Sequence, residues 1–259
     1  MTAPRRSCLV GRFICALCAL GLIWAGTVAA ADYAREKRWA DEITPALVVG
    51  DALYLQQASG HQFLALHTPA KNSRAAMIVV HGLGIHPDWG LIGALRSDLP
   101  DHGYTTLAIQ MPVLAADAKG EDYAALFDDA GERLAAATAW LKAQGHSRIA
   151  IVSHSMGARM SNRFLASPPA NGIAAWVAIG ISSGEFADTA MLKLPILDIY
   201  GERDFPQVLK KADTRAAVLT RIKGSAQIEV PGADHYFNGS EAALTRHVRL
   251  FLDRQFARP

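Results

Sequence analysis

Six short apolar runs, separated by longer stretches of helical character, constrain this chain more than any other feature. They are AMIVV (76–80), TTLAI (105–109), IAIVS (149–153), AAWVAI (174–179), ILDIY (196–200) and QIEV (227–230). Most are β-branched or aliphatic, the pattern of strands buried on both faces of a parallel sheet. Between most of them lie helical patterns. The clearest is EDYAALFDDAGERLAAATAWLKAQG (121–145), with acids in its first turn and Gly145 as its stop. Residues 156–166, 207–221 and 240–256 also read as helices. Such alternation implies right-handed crossovers with helices on both faces. Two earlier runs, ALVVGDALYLQQ and HQFLALHTP, are more polar and separated only by Ala58-Ser59-Gly60, which predicts an antiparallel pair. The expected fold class is α/β, a mostly parallel sheet of about eight strands whose first strands are antiparallel.

The first 31 residues stand apart. Arg5, Arg6 and Arg12 accompany the apolar run FICALCALGLIWAG, and the small residues TVAAA follow. That order is a secretory signal with a cut after Ala30 or Ala31. The alternative is an uncleaved anchor, since Phe13 to Ala31 is about 19 residues, just enough to span a bilayer. Residues 32–259 are then expected as a single exported domain, periplasmic or secreted from a bacterium, with no stable membrane insertion after cleavage. Removing the leader takes all three cysteines with it (Cys8, Cys15 and Cys18), and so any disulfide or Cys-based metal site. It also takes three of the 26 basic residues, leaving 23 against 24 acidic ones. A near-neutral chain lacks the electrostatic footprint of a nucleic-acid binder. No repeat or low-complexity tract interrupts it, and oligomeric state is not legible.

In open α/β sheets, reactive groups collect just past the carboxyl ends of the strands. Four such ends carry suggestive residues: His81-Gly82-Leu83-Gly84, then Ser153-His154-Ser155-Met156-Gly157, then Gly201-Glu202-Arg203-Asp204, then Pro231-Gly232-Ala233-Asp234-His235. The second is one residue short of G-x-S-x-G, because Ser153 stands where the first glycine belongs. A nucleophile elbow needs a strand, a sharp strained turn and a helix. Residues 149–167 offer all three, with MGARMSNRFLAS as an amphipathic helix. Ser155, Asp204 and His235 also follow one another in the order Ser…Asp…His, each past a different strand.

With these residues in view, the mature chain resembles the α/β-hydrolase superfamily over roughly residues 60–256. The stretches HGLGIHPDWG and AIQMPVL are similar to a group of exported bacterial α/β-hydrolase-like proteins of unassigned function. The resemblance implies an α/β-hydrolase fold and a role for each residue. Ser155 would attack a carbonyl carbon. His235 would serve as base and Asp204 would orient it. The backbone N–H groups of Met156 and Leu83 would form the oxyanion hole, with His81, Gly82 and Gly84 in the supporting loop. No cofactor or metal is implied.

Other residues compete for these roles. Gly180-Ile181-Ser182-Ser183-Gly184 matches G-x-S-x-G literally, yet EFADTAMLKLP leaves little room for a helix before Pro195. Ser182 also follows the third strand after AMIVV, where the hydrolase order expects the second. Ser155 is therefore the expected nucleophile, with Ser182 or Ser183 lining the pocket. Asp198 and Glu185 are alternatives to Asp204. His154 is adjacent to Ser155 on a tight turn, so its side chain points away and supports the turn. His86 and Trp89 in HPDWG could shape the pocket or simply pack. His81, His86, Asp88 and His154 fit no strong metal-ligand spacing.

The segments 111–121 and 184–193 are too short for a large cap, which suggests an open site. Two functions remain in contention. One is an exported serine hydrolase acting on a carboxylic ester or related small acyl substrate, with thioesterase, peptidase and deacylase chemistry open within it. The other is a non-catalytic envelope binding or accessory protein that keeps the fold.

Overall fold

The computed structural model describes residues 30–167 and 172–257. The leader expected over residues 1–31, except Ala30 and Ala31, lies outside the described residues. Eight strands form one sheet in the order β1-β2-β4-β3-β5-β6-β7-β8. These are β1 (Asp51–Gln56), β2 (Gln62–Thr68), β3 (Ala75–Val80), β4 (Tyr104–Ile109), β5 (Ile149–His154), β6 (Ala175–Ile179), β7 (Ile196–Arg203) and β8 (Ala226–Asp234). β2 runs antiparallel to both β1 and β4, and every other pairing is parallel. The fold is the α/β-hydrolase fold that the sequence led us to expect.

The apolar runs became central strands for a simple physical reason. Every residue of β3, β4, β5 and β6 is buried, so neither face needed polar side chains. Alternate residues feed two cores. Met77 and Val79 of β3 join the layer beneath α1 (Tyr33–Ala46), α2 (Gly90–Asp98) and α7 (Glu241–Gln255). Ala76, Ile78 and Val80 join the layer beneath α3 (Phe127–Ala143), α4 (Met156–Leu165) and α6 (Ala212–Leu219). The single-residue alternation thus seals the sheet on both sides.

Four elements differ from expectation. The region before β1 is a helix: α1 is capped by the Asp32 side chain, which accepts from the Arg35 N–H at 2.9 Å. Strand character therefore starts at Asp51, not at residue 46. The 207–221 helix is two pieces, α5 (Pro206–Lys210) and α6, broken at Lys211. Helix α2 was not anticipated. The 121–145 helix starts as a tighter turn over Asp122–Leu126 before α3 proper.

A buried ion pair ties α1 to the opposite layer. Arg133 of α3 donates from Nη1 to Glu36 Oε2 at 2.9 Å and from Nη2 to Glu36 Oε1 at 3.1 Å. It also donates to the Gln110 carbonyl and to Gln57 Oε1. These bonds staple α1 across the carboxyl edge of β4, the edge at which the reactive groups gather.

Candidate active site

Ser155 sits between β5 and α4 at φ 54° and ψ −117°. A side-chain-bearing residue at positive φ is strained, and such strain concentrates at functional turns. Backbone bonds on both sides hold the turn. The Ser155 N–H donates to the Ile179 carbonyl at 2.9 Å, and the Ser155 carbonyl accepts from Ala158 at 3.1 Å.

The strand-end loops converge on this serine. His235 Nε2 lies 3.0 Å from Ser155 Oγ, and His235 Nδ1 lies 2.6 Å from Asp204 Oδ1. With the proton assigned to Nδ1, that nitrogen donates to the carboxylate and Nε2 accepts from the hydroxyl. Asp204 is fixed in turn by the Phe205 N–H at 2.7 Å. All three residues are buried. The side chains that the sequence separated by 49 and 31 positions, Ser155, Asp204 and His235, therefore form one hydrogen-bonded chain.

The competing residues have other partners. Asp198 is fully buried and receives Arg215 Nε at 2.7 Å and Gln227 Nε2 at 2.8 Å. Glu185 faces Lys211 at 3.3 Å on the surface. Neither is bonded to His235.

Two glycines are required by packing. A Cβ on Gly157 would overlap the His81 carbonyl oxygen, so only glycine lets α4 lie against the end of β3. Gly180 has φ 50°, and a Cβ there would lie 2.9 Å from Asp204 Oδ2 and 3.1 Å from His235 Nδ1. Its place in the literal G-x-S-x-G thus reflects the floor beneath Asp204 and His235. No helix follows it: residues 180–195 form turns and bends up to β7. Ser182 nonetheless adjoins the elbow, its N–H reaching the Ser155 carbonyl at 3.4 Å.

Ser153, the departure from the motif, has its own task. Its Oγ accepts the indole N–H of Trp176 on β6 at 2.8 Å, and both residues are fully buried. The hydroxymethyl group points into the β5–β6 layer and leaves the elbow unobstructed.

The loop after β3 lies against the elbow. A Cβ on Gly82 would come within 2.9 Å of Ser155 Cβ, so the loop after β3 rests directly on the elbow. Leu83 is exposed, Gly84 makes the turn at φ 77°, and Met156 opens α4, where first-turn N–H groups have no helical acceptor. His81 braces this loop from below. Its Nδ1 donates to the Gly82 carbonyl at 2.8 Å, leaving Nε2 to accept from the Met111 N–H at 2.9 Å. Burial pushes its pKa down to about 3, so it is neutral.

His154 is also held neutral, its pKa lowered to about 3 by burial and then by the neighbouring His235. Its Nε2 donates to the His235 carbonyl at 2.9 Å, so the residue preceding Ser155 holds the backbone that carries His235. Phe205 stacks on the His235 ring at 3.8 Å, a contact with no signal in the sequence. Trp89 packs edge-on against Tyr236 at 5.5 Å, steadying the same loop, and His86 packs near Trp39 at 5.9 Å. No group of three His, Cys, Asp or Glu side chains among the described residues is arranged to hold a metal ion.

Residues 32–132 match the model of a family described as a protein of unknown function, DUF3530. No curated protein matches the chain. Several solved structures share the fold. Est1E from Butyrivibrio proteoclasticus is 16% identical, with 80% of this chain and 99% of that chain covered at a TM-score of 0.64. An α/β serine hydrolase without a lid from Xanthomonas campestris is 19% identical, with 82% and 97% covered at 0.64. The esterase Pf2001 from Pyrococcus furiosus is 17% identical, with 80% and 95% covered at 0.61. At these identities the likeness is one of fold.

Proposed function

We propose that this protein is an exported serine hydrolase that cleaves a carboxylic ester through an acyl-enzyme. The observation that carries this reading is the hydrogen-bonded chain from Ser155 through His235 to Asp204, centred on a strained elbow. A buried chain of this kind has a chemical use. His235 Nε2 takes the Ser155 proton as Oγ attacks the substrate carbonyl carbon, and Asp204 stabilises the imidazolium that results. The carbonyl oxygen gains charge as the tetrahedral intermediate forms. The N–H groups of Met156 and Leu83 meet that charge, each such donor contributing about 3 kcal/mol to the transition state.

His235 then gives its proton to the departing alkoxide, and an alcohol leaves. Water repeats the cycle on the acyl-enzyme: His235 takes a proton from it, the hydroxide adds to the acyl carbon, and Ser155 is expelled and reprotonated. The net reaction adds one water across the ester bond. The carboxyl-edge segments support an accessible substrate, since residues 110–121 and 180–195 hold no helix that could cover the serine. Export rests on the leader, with cleavage after Ala30 or Ala31.

One experiment addresses both parts. A fluorophosphonate probe applied to cell fractions is expected to label a periplasmic or secreted band at the mass of residues 32–259, and Ser155→Ala should abolish the label. Labelling that survives Ser155→Ala would reject the nucleophile, and a labelled band confined to the cytoplasm would reject export. An unlabelled folded protein would favour the binding-protein alternative.

A further inference from the structure

Seven arginines among the described residues are wholly or partly withdrawn from solvent. Four have carboxylate partners: Arg74 with Asp253, Arg96 with Asp88, Arg133 with Glu36 and Arg215 with Asp198. That is the usual condition, because an unpaired charge withdrawn from water is costly. Of the other three, Arg35 donates to the Leu114 carbonyl at 2.9 Å and Arg249 lies 3.5 Å from His102 Nδ1. Arg159 is half-buried, belongs to none of the ion pairs among the described residues and has no bond as short as that of Arg35. Its side-chain contacts are a long hydrogen bond from Nη1 to the Gly120 carbonyl at 3.4 Å and the ring of Phe127 at 5.4 Å. Burial lowers its pKa, the signature of a cation that has lost water without gaining an anion.

Its position relates this cation to the chemistry. Arg159 lies one helical turn past Ser155 on α4, and its N–H donates to the Ser155 carbonyl at 3.3 Å. Helical Cα–Cβ bonds tilt toward the N-terminus, which on α4 is the nucleophile end. The bond to Gly120 fits that direction, because a Cβ on Gly120 would sit 3.8 Å from Met156 Cε, beside the elbow. Next to Arg159 is a hollow of about 180 Å³, walled by Phe127, Arg163, Ser183, Glu185 and Asp188. Ser183, on the wall of the hollow, follows Ser182, whose N–H reaches the Ser155 carbonyl at 3.4 Å. The far wall is rigid, since Asn162 holds both the N–H and the carbonyl of Ala187 at 2.7 and 3.0 Å.

The charges around the hollow select its occupant. Arg159 and Arg163 are positive, Glu185 is matched by Lys211, and Asp188 is negative. One positive charge is left over, which suits a monoanion and disfavours a phosphate dianion. A guanidinium presents its N–H groups as a planar fork that fits a carboxylate.

We propose that Arg159 is a specificity-determining residue that binds a carboxylate on the substrate, so that the preferred ester is one carrying a free acid group. This rests on the serine-hydrolase reading and names the substrate class for that site. The carboxylate takes no part in bond making. It anchors the ester in the hollow while Ser155 attacks the carbonyl.

The test uses matched esters on the mature protein and on Arg159→Gln. Phenyl valerate and phenyl hydrogen glutarate differ by a terminal methyl or carboxylate on the acyl side. Phenyl acetate and 4-carboxyphenyl acetate place that difference on the leaving group. Wild type should favour the acid-bearing member of one pair by about tenfold in kcat/KM, and Arg159→Gln should erase that preference while changing the neutral esters less than about twofold. A wild type that prefers the neutral ester in both pairs would overturn the proposal. So would an Arg159→Gln loss that is equal for charged and neutral esters.

Calorimetry with monomethyl glutarate on Ser155→Ala separates this from catalysis. Binding is expected, and it should be lost in Ser155→Ala with Arg159→Gln and weakened by salt. No binding overturns the anion site even if phenyl acetate is cleaved. Binding without any fluorophosphonate label would keep the site and reject the hydrolase.

Discussion

Adjacent strands of this sheet, β5 and β6, lead into five-residue turns that share a central serine and a final glycine: Ser153-His154-Ser155-Met156-Gly157 and Gly180-Ile181-Ser182-Ser183-Gly184. The second matches the hydrolase motif literally and the first does not. Only the first turns its serine onto a histidine, because a helix follows it and Gly157 lets that helix close against β3. In the second, Gly180 lies under the Asp204–His235 pair, and Gly184 turns at φ 76° beneath the Gln207 backbone. Glycine in the first loop admits a helix, and in the second it admits an acid and a base. A motif is a record of close packing, and the partner in that packing decides what it means.

This contrast can be broken experimentally. Gly180→Ala should produce the largest effect, a fall in kcat of about 10²–10³-fold, because the new methyl displaces Asp204 from His235 in a turn that disfavours side chains. Steady-state kinetics with phenyl acetate would show it, and wild-type kcat in a folded Gly180→Ala protein would mean the floor is dispensable.

The residue before each serine sharpens the comparison next. His154 is buried and neutral where the second loop has Ile181. An unfolded chain protonates this histidine below about pH 6.5, whereas in the fold it stays neutral until about pH 3. Its contribution to stability is therefore complete above pH 6.5 and declines as pH falls toward 3, by about 1.4 kcal/mol per pH unit. His81 adds to the same slope. Urea unfolding at pH 7, 5.5 and 4 should show this loss, and His154→Gln should flatten it. Identical slopes for variant and wild type would remove His154 from the account.

Restoring the motif glycine gives the smallest effect. Ser153→Gly leaves the Trp176 indole N–H buried without its acceptor, at about 1–3 kcal/mol of stability, with no gain in kcat. A faster enzyme of unchanged stability would show that the serine obstructs the elbow after all.

The parts of this molecule that sequence discloses are those whose neighbours hardly matter. The central strands are apolar on both faces, so their pattern is visible whichever strand lies beside them. That Ser155, Asp204 and His235 come together follows from strand order, because the fold delivers each strand end to the same edge. Helix α1 was hidden because a charged residue takes an inward position, with Glu36, Ala40 and Ile43 as its buried residues and Pro45 within its last turn. Gly180 was misleading for a similar reason. Its need for a missing side chain comes from Asp204 and His235, which lie 24 and 55 positions away. Phe205 and Arg159 likewise carry no local signal, since a stacked ring or an unmatched cation is defined by what surrounds it.

The Glu36–Arg133 pair also sets a limit on how short this chain can be. Ala31 packs against the core, the Asp32 N–H is held by the Val113 carbonyl at 2.7 Å, and the Asp32 side chain starts α1. Four residues later Glu36 neutralises a fully buried guanidinium that also grips the end of β4. The fold has no slack at this end. Trimming past Asp32 removes a cap, and trimming past Glu36 leaves the buried Arg133 with only the longer contact to Asp129 at 3.7 Å, so the amino-terminal boundary of the stable molecule is drawn by electrostatics to within a single helical turn.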